Sequence, residues 1–325
     1  MKNYYLVAIC AALTSHVPAL QAQTTWKLAT GYSPESFHTK NIMQFSRDVG
    51  QASRGNLLID VHPGGTLLKL NDISPAVQAG KVEAGETIMT SMVKEIPLAG
   101  ADAVPFVVGS YKDAKRLWQL QRPGIEKHFS ERGMKLLYTV PWPPQGLHST
   151  KPIRSLADFK GTQMRTYNST TLRIAELLEA RAVEVPTVDV GKALTEGRID
   201  TMITSALTGV ENKVWGSIKY YYEINAWFPK NAVFVNTRAF EALDAPSRAA
   251  VMKAAQEAEA RGWTASEAIA GSATAELRTN GIKIERIPPD VDRAIKRMGD
   301  KFSQEWVRTV GKEANDIFVP YYLKP

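Results

Sequence analysis

The sequence predicts an α/β protein of two lobes, each built around a mixed sheet, hinged by strands that cross between them and bridged by one long helix. Three observations carry this. From Thr25 to Val140, short strand-like segments alternate with stretches of helical spacing, the rhythm of a mainly parallel sheet with helices on both faces. A proline-dense segment, Pro141-Trp142-Pro143-Pro144-Gln145-Gly146, interrupts that rhythm and marks a first passage between lobes. An alanine-rich helical pattern then runs from Pro246 to Leu277. About thirty residues at 1.5 Å each span ~45 Å, more than one lobe.

The elements follow in order. Thr25–Thr30 alternates as a strand, and Gly31 to Pro34 turns the chain. Phe37–Ala52 places Ile42, Phe45 and Val49 on one helical face. Leu57–Pro63 is a strand, Asp72–Ala79 a helix stopped by Gly80, and Glu86–Thr90 a third short strand. Leu98 to Phe106 reads as loop. Tyr111–Gln119 and Gly124–Arg132 read as two helices, the second stopped by Gly133, and Lys135–Val140 is a strand. After the proline-dense loop the second lobe opens at Ile153. Its expected elements are a turn at Ser155–Lys160 and a strand at Thr162–Thr166. Then come a helix at Thr171–Glu179, a strand at Ala182–Val185, a helix at Asp189–Glu196 and a strand at Thr201–Thr204. Tyr220–Trp227 is strand-like and aromatic. Ala232–Asn236 is a strand expected to return to the first lobe. Asp244 caps the long helix; two helices joined by a loop at Gly262 are the alternative. Ile295–Val310 closes the chain. The lobes are therefore expected as 23–141 plus 231–262, and 142–230 plus 263–325.

Residues 1–22 read as a cleavable secretory signal: Lys2 opens it, Leu6–Leu13 is its apolar core, and Leu20-Gln21-Ala22 precedes the cut. The one cysteine, Cys10, lies inside it, so the remaining chain carries no disulfide, thiol chemistry or cysteine-ligated metal. An exported protein without disulfides fits the periplasm. No later stretch is apolar for the ~20 residues a membrane helix needs, so the mature chain is expected not to insert into a membrane. The formal net charge of +7 falls to +6 without Lys2. Basic residues are scattered and interleave with no aromatics, which excludes a nucleic-acid partner.

No enzyme signature emerges. His38, His62, His128 and His148 show no metal-ligand spacing, and there is neither a nucleophile elbow nor a glycine-rich phosphate loop. No metal or cofactor is expected. The informative stretch is Asp158-Phe159-Lys160-Gly161-Thr162-Gln163-Met164-Arg165, followed by Val185-Pro186-Thr187-Val188-Asp189-Val190-Gly191-Lys192 and Gly197-Arg198-Ile199-Asp200. A lone Arg on a short strand, at a strand edge beside a cleft, is suited to grip a carboxylate through two parallel hydrogen bonds. Together these segments resemble the solute-binding proteins of tripartite ATP-independent periplasmic (TRAP) transporters, whose motif reads Asp-Leu-Lys-Gly-x-Lys-hydrophobic-Arg. The resemblance runs from Trp26 to about Trp306 and implies a periplasmic-binding-protein-like fold. It also implies a function: capture of a small organic acid in the periplasm and delivery to membrane permease subunits.

The resemblance makes Arg165 the carboxylate anchor. Two departures from the family pattern shape the expected ligand. Where members carry an Asn after the Gly-x-Val-Asp turn, this chain has Thr204 and Ser205. Where many carry a second Arg ahead of Lys151-Pro152, it has Gln145, with Trp142 close by. One charge lost and one flat ring gained point to a monocarboxylate with a cyclic or aromatic body, such as pyroglutamate. Tyr167, Asn168, Asn231, Phe37 with His38, and Ser91 complete the candidate site. A solute sensor for a receptor kinase and a periplasmic enzyme acting on an organic acid are the alternatives.

Overall fold

The computed structural model describes residues 23–323 and arranges their strands in two mixed sheets. The proposed signal, with Cys10, lies outside the described residues. In the first sheet β1 (Thr24–Thr30) runs parallel to β2 (Leu57–His62) and β3 (Ala84–Ile88). The strand β10 (Lys230–Asn236) inserts antiparallel between β3 and β4 (Met134–Pro141). The return to the first lobe is thus as expected. In the second sheet β5 (Gln145–Ser149) pairs antiparallel with β8 (Thr201–Ser205) and β9 (Tyr220–Tyr222). There β6 (Gln163–Thr166) lies parallel between β8 and β7 (Arg181–Glu184), and β11 (Lys283–Glu285) pairs with β9. The fold is α/β, two lobes joined by crossing segments and spanned by one helix.

The crossings are short and bonded to each other. Only Trp142, Pro143 and Pro144 separate β4 from β5. Trp142 N–H donates to Pro229 O (2.7 Å), Gln145 N–H to Trp227 O (3.0 Å) and Ala226 N–H to Gln145 O (2.8 Å). Lys230 and Asp102 form a buried ion pair (3.0 Å) where the second crossing enters the first sheet.

Helix α1 (Phe37–Ala52) buries Ile42, Phe45 and Val49 as its spacing predicts. It packs beside α8 (Ala245–Thr279), which starts at its Asp244 cap, where Ser247 N–H donates to Oδ1 (2.6 Å). At 35 residues α8 spans ~52 Å. It is one continuous helix, which excludes a loop at Gly262. A Cβ on Gly262 would lie 2.4 Å from Val140 Cγ2 and 2.9 Å from Asn41 Nδ2, so this glycine is where α8 presses against β4 and α1.

Five expectations need correction. The two helices predicted over 111–132 are one, α3 (Tyr111–Glu131), carrying Pro123 inside. Burial of Leu117, Trp118, Ile125 and Phe129 on one face outweighs the lost backbone bond. The proline-dense loop ends sooner than expected: β5 begins at Gln145, and all five of its residues are buried. Polar Gln145, His148 and Ser149 hid it, because a strand buried on both faces need not alternate. The aromatic strand stops at Tyr222. Arg165 stands on an interior strand, since β6 is paired on both edges. Finally, α9 (Pro289–Val310) starts in the core of the second lobe with Val291 and Ile295. The helix α10 (Lys312–Leu323) then buries Ile317, Phe318 and Tyr321 in the core of the first, against α3. The end of the chain assigned above to the second lobe therefore belongs to the first. Hydrophobic spacing reveals a buried face but not its partner.

Candidate functional site

A cavity of about 530 Å³ lies between the lobes. Its walls come mainly from the carboxyl ends of parallel strands, where side chains and loops splay outward. In the first lobe these are Gly31 and Tyr32 after β1, Gly64 and Gly65 after β2, and Ile88 at the end of β3. In the second they are Arg165 and Tyr167 at the end of β6 and Glu184 to Asp189 after β7. Trp142, Gln145 and Pro229 from the crossings, with Thr204 and Thr208, complete it.

Arg165 dominates the chemistry. It is 1% exposed, yet no carboxylate pairs with it among the described residues. Its Nε donates to Val185 O (2.9 Å) and Nη2 to Thr187 Oγ1 (3.2 Å), and the guanidinium lies 4.7 Å from the centre of the Tyr167 ring. Burial lowers its pKa to about 10, which still leaves it charged at neutral pH. A buried cation whose protein partners are all neutral is stabilised by an incoming anion. Burial likewise pushes the Tyr167 hydroxyl up to about 12; it stays protonated and donates to Gln145 Oε1 (3.2 Å). Gln145 Nε2 donates to Pro143 O (2.9 Å), so its amide is held with the oxygen toward Tyr167.

Trp142 and Tyr32 stand in the same cavity, with ring centroids 5.1 Å apart and a 58° tilt. His38 packs on Trp142 at 4.3 Å and Phe37 meets it edge-on at 5.8 Å. Burial holds the His38 imidazole well below its usual pKa, hence neutral.

Of the candidates read from sequence, Arg165, Trp142, Gln145, Tyr167 and Thr204 line the cavity. The others do not. Ser205 caps the helix α6 (Ala206–Glu211), accepting from Thr208 N–H (3.1 Å) and exchanging a hydroxyl bond with Thr208 (3.1 Å). Asn168 caps α4 (Ser169–Leu177) and reaches across the cleft, donating from Nδ2 to Thr90 Oγ1 (3.1 Å). Asn231 is buried behind Trp142 and Tyr32, Phe37 backs Trp142, and Ser91 closes the turn after β3 through Ile88 O (2.7 Å). Tyr32, Thr187 and Thr208 were missed. The ends of the predicted parallel strands would have pointed to Tyr32 and to the segment after β7.

Comparison with known proteins gives one consistent likeness. Residues 28–309 match the family model DctP, bacterial extracellular solute-binding protein, family 7. The crystal structure of DctP6 from Bordetella pertussis, an extracytoplasmic solute receptor binding pyroglutamic acid, is 34% identical. It superposes with a TM-score of 0.90, covering 93% of this chain and 100% of that one. A marine-metagenome TRAP solute-binding protein specific for pyroglutamate, solved with the co-purified ligand, is also 34% identical, with a TM-score of 0.90. There the match covers 93% of this chain and 99% of that one. A curated solute-binding protein of Albidiferax ferrireducens is 25% identical over 173 residues, 52% of this chain. The chain spans about half the length of that relative, 51%.

Proposed function

The chain belongs to bacterial extracellular solute-binding protein family 7, the periplasmic binding subunits of TRAP transporters. From that premise we propose that it captures a cyclic monocarboxylate, pyroglutamate or an acid of like shape, in the periplasm and delivers it to a TRAP permease. The observation that carries this reading is Arg165: a buried guanidinium in the interlobe cavity whose protein partners are all neutral. It grips the carboxylate, and Gln145 and Tyr167 read the polar edge of the ring. Trp142 and Tyr32 flank the apolar face. Two of the structural relatives bind pyroglutamate, which supports the same ligand class here. No bond is made or broken; closure of the lobes excludes water and strengthens the ion pair.

The test is calorimetry on protein unfolded and refolded to remove carried-over ligand. Pyroglutamate should bind at least 100-fold more tightly than succinate or D-glucuronate. Arg165→Ala should lose at least 30-fold in affinity, since removing one partner of a buried charged pair costs about 2–5 kcal/mol. Arg165→Lys should fare little better, a point charge lacking the planar fork. Near wild-type affinity in the alanine variant would remove Arg165 as anchor, and silence toward every acid would remove the ligand class.

A further inference from the structure

The aromatic wall of the cavity is held by residues that do not line it. Trp142 and Tyr32 carry one hydrogen-bonding atom each, and both converge on one acceptor. Trp142 Nε1–H donates to Asn231 Oδ1 (2.8 Å), and the Tyr32 hydroxyl donates to the same oxygen (3.2 Å). Asn231 is 1% exposed on β10, behind the two rings. Its Nδ2 donates to Glu86 Oε1 (2.9 Å), and Glu86 Oε2 accepts from Thr30 Oγ1 (2.6 Å). Chemistry fixes which way the amide points. Turned over, it would set its NH₂ against the indole N–H and its oxygen against the Glu86 carboxyl oxygen.

Extending the reading above, we infer that Asn231, oriented by Glu86, is a positioning residue that determines specificity. By accepting both donors of the aromatic wall, it leaves that wall without a free donor; only the Tyr32 oxygen can still accept. The acid that fits therefore presents no acceptor to Trp142 and Tyr32. A hydroxyl placed against this wall would bury its oxygen without a donor, losing roughly 5- to 100-fold in affinity per group. An Asn here is thus part of the ligand filter without touching the ligand.

The experiment titrates pyroglutamate and its 4-hydroxy derivative into the wild type and four variants, each checked for folding by circular dichroism. Wild type should prefer pyroglutamate at least tenfold. Tyr32→Phe removes only the hydroxyl and, with the indole still held by Asn231, should keep the preference for pyroglutamate at least fivefold. Glu86→Gln keeps an oxygen toward Asn231 and should retain the preference within about threefold. Asn231→Leu and Glu86→Leu free the indole and phenol donors and should cut the preference at least fivefold. Loss of the preference in Tyr32→Phe would make that hydroxyl, and not Asn231, the selector and overturn the inference. So would unchanged preference in folded Asn231→Leu. Should the leucine variants not fold, a preference lost in Glu86→Gln would equally overturn it. A wild type that binds neither acid would overturn the parent reading and this one with it; a wild type that binds both equally would overturn this one alone.

Discussion

Arg165 shows how one side chain can be both readable and misplaced. The Asp158 to Arg165 motif identified it, yet its strand is interior rather than an edge. Residue type reports chemistry; the strands that flank β6 come from 18 and 37 residues downstream, and no local pattern reveals them. Asn231 illustrates the reverse. Its position near the second crossing was legible, but its service to Trp142 and Tyr32 depends on three chain segments meeting. Two buried titrating groups set pH dependence at this scale. Burial lowers the His148 imidazole to about 3 from 6.5. The stability of its neutral form is thus present above about 6.5 and lost as pH falls toward 3. Burial raises Glu86 to about 7 from 4.5, so its contribution is present below about 4.5 and lost as pH rises through 7. Melting temperatures of the ligand-free protein should therefore fall less on acidification in His148→Gln. In Glu86→Gln they should fall less between pH 5 and 8. Parallel curves for wild type and both variants would contradict these assignments.

At the scale of elements, the two glycines of α8 separate conformational preference from packing. Both lie in a helix interior, where Ala is favoured by about 0.5–1 kcal/mol. Gly271 has open space around a would-be Cβ, whereas Gly262 has Val140 Cγ2 at 2.4 Å. Gly271→Ala should stabilise by about 0.5 kcal/mol, and Gly262→Ala should destabilise by about 1–3 kcal/mol through overpacking against β4. Denaturant midpoints would decide, and equal shifts of the same sign would refute the argument. The same distinction explains why α3 was misread. Pro123 is a local stop signal, but the apolar stripe continuing from Trp118 to Ile125 packs the helix through it. Periodicity across the proline was visible in the sequence; its outcome depended on the wall the stripe packs against.

For the whole molecule, the question is what holds the lobes together over the cavity. Asn168 in the second lobe donates to Thr90 in the first (3.1 Å) while its Oδ1 caps α4 through Thr171 N–H (2.9 Å). Asn168→Asp keeps the cap, because Asp serves equally well there, and deletes the donor to Thr90. One hydrogen bond is worth about 0.5–1.5 kcal/mol net, so ligand affinity should fall about 2- to 10-fold, mainly through faster release. Stopped-flow dissociation rates equal to wild type would remove Asn168 as a latch. Closure itself should appear in small-angle scattering as a smaller radius of gyration with saturating pyroglutamate. Its pivots would be Val140–Trp142 and Phe228–Ala232, where two bonded crossings carry the chain between lobes. An unchanged radius, from protein shown to start open, would contradict capture by closure.

The sequence by itself determined the α/β alternation, the crossing at Trp142, the long capped helix and the lone Arg165 on its short strand. Each is a local pattern of periodicity, capping or motif, and local patterns survive in one dimension. Only the tertiary structure decided that β10 inserts between β3 and β4, that α10 packs on the first lobe, and that Tyr32 joins Trp142 in one wall. These depend on which buried faces and unpaired backbone edges find each other. That is settled by summed burial across distant segments, and no single stretch of sequence carries it.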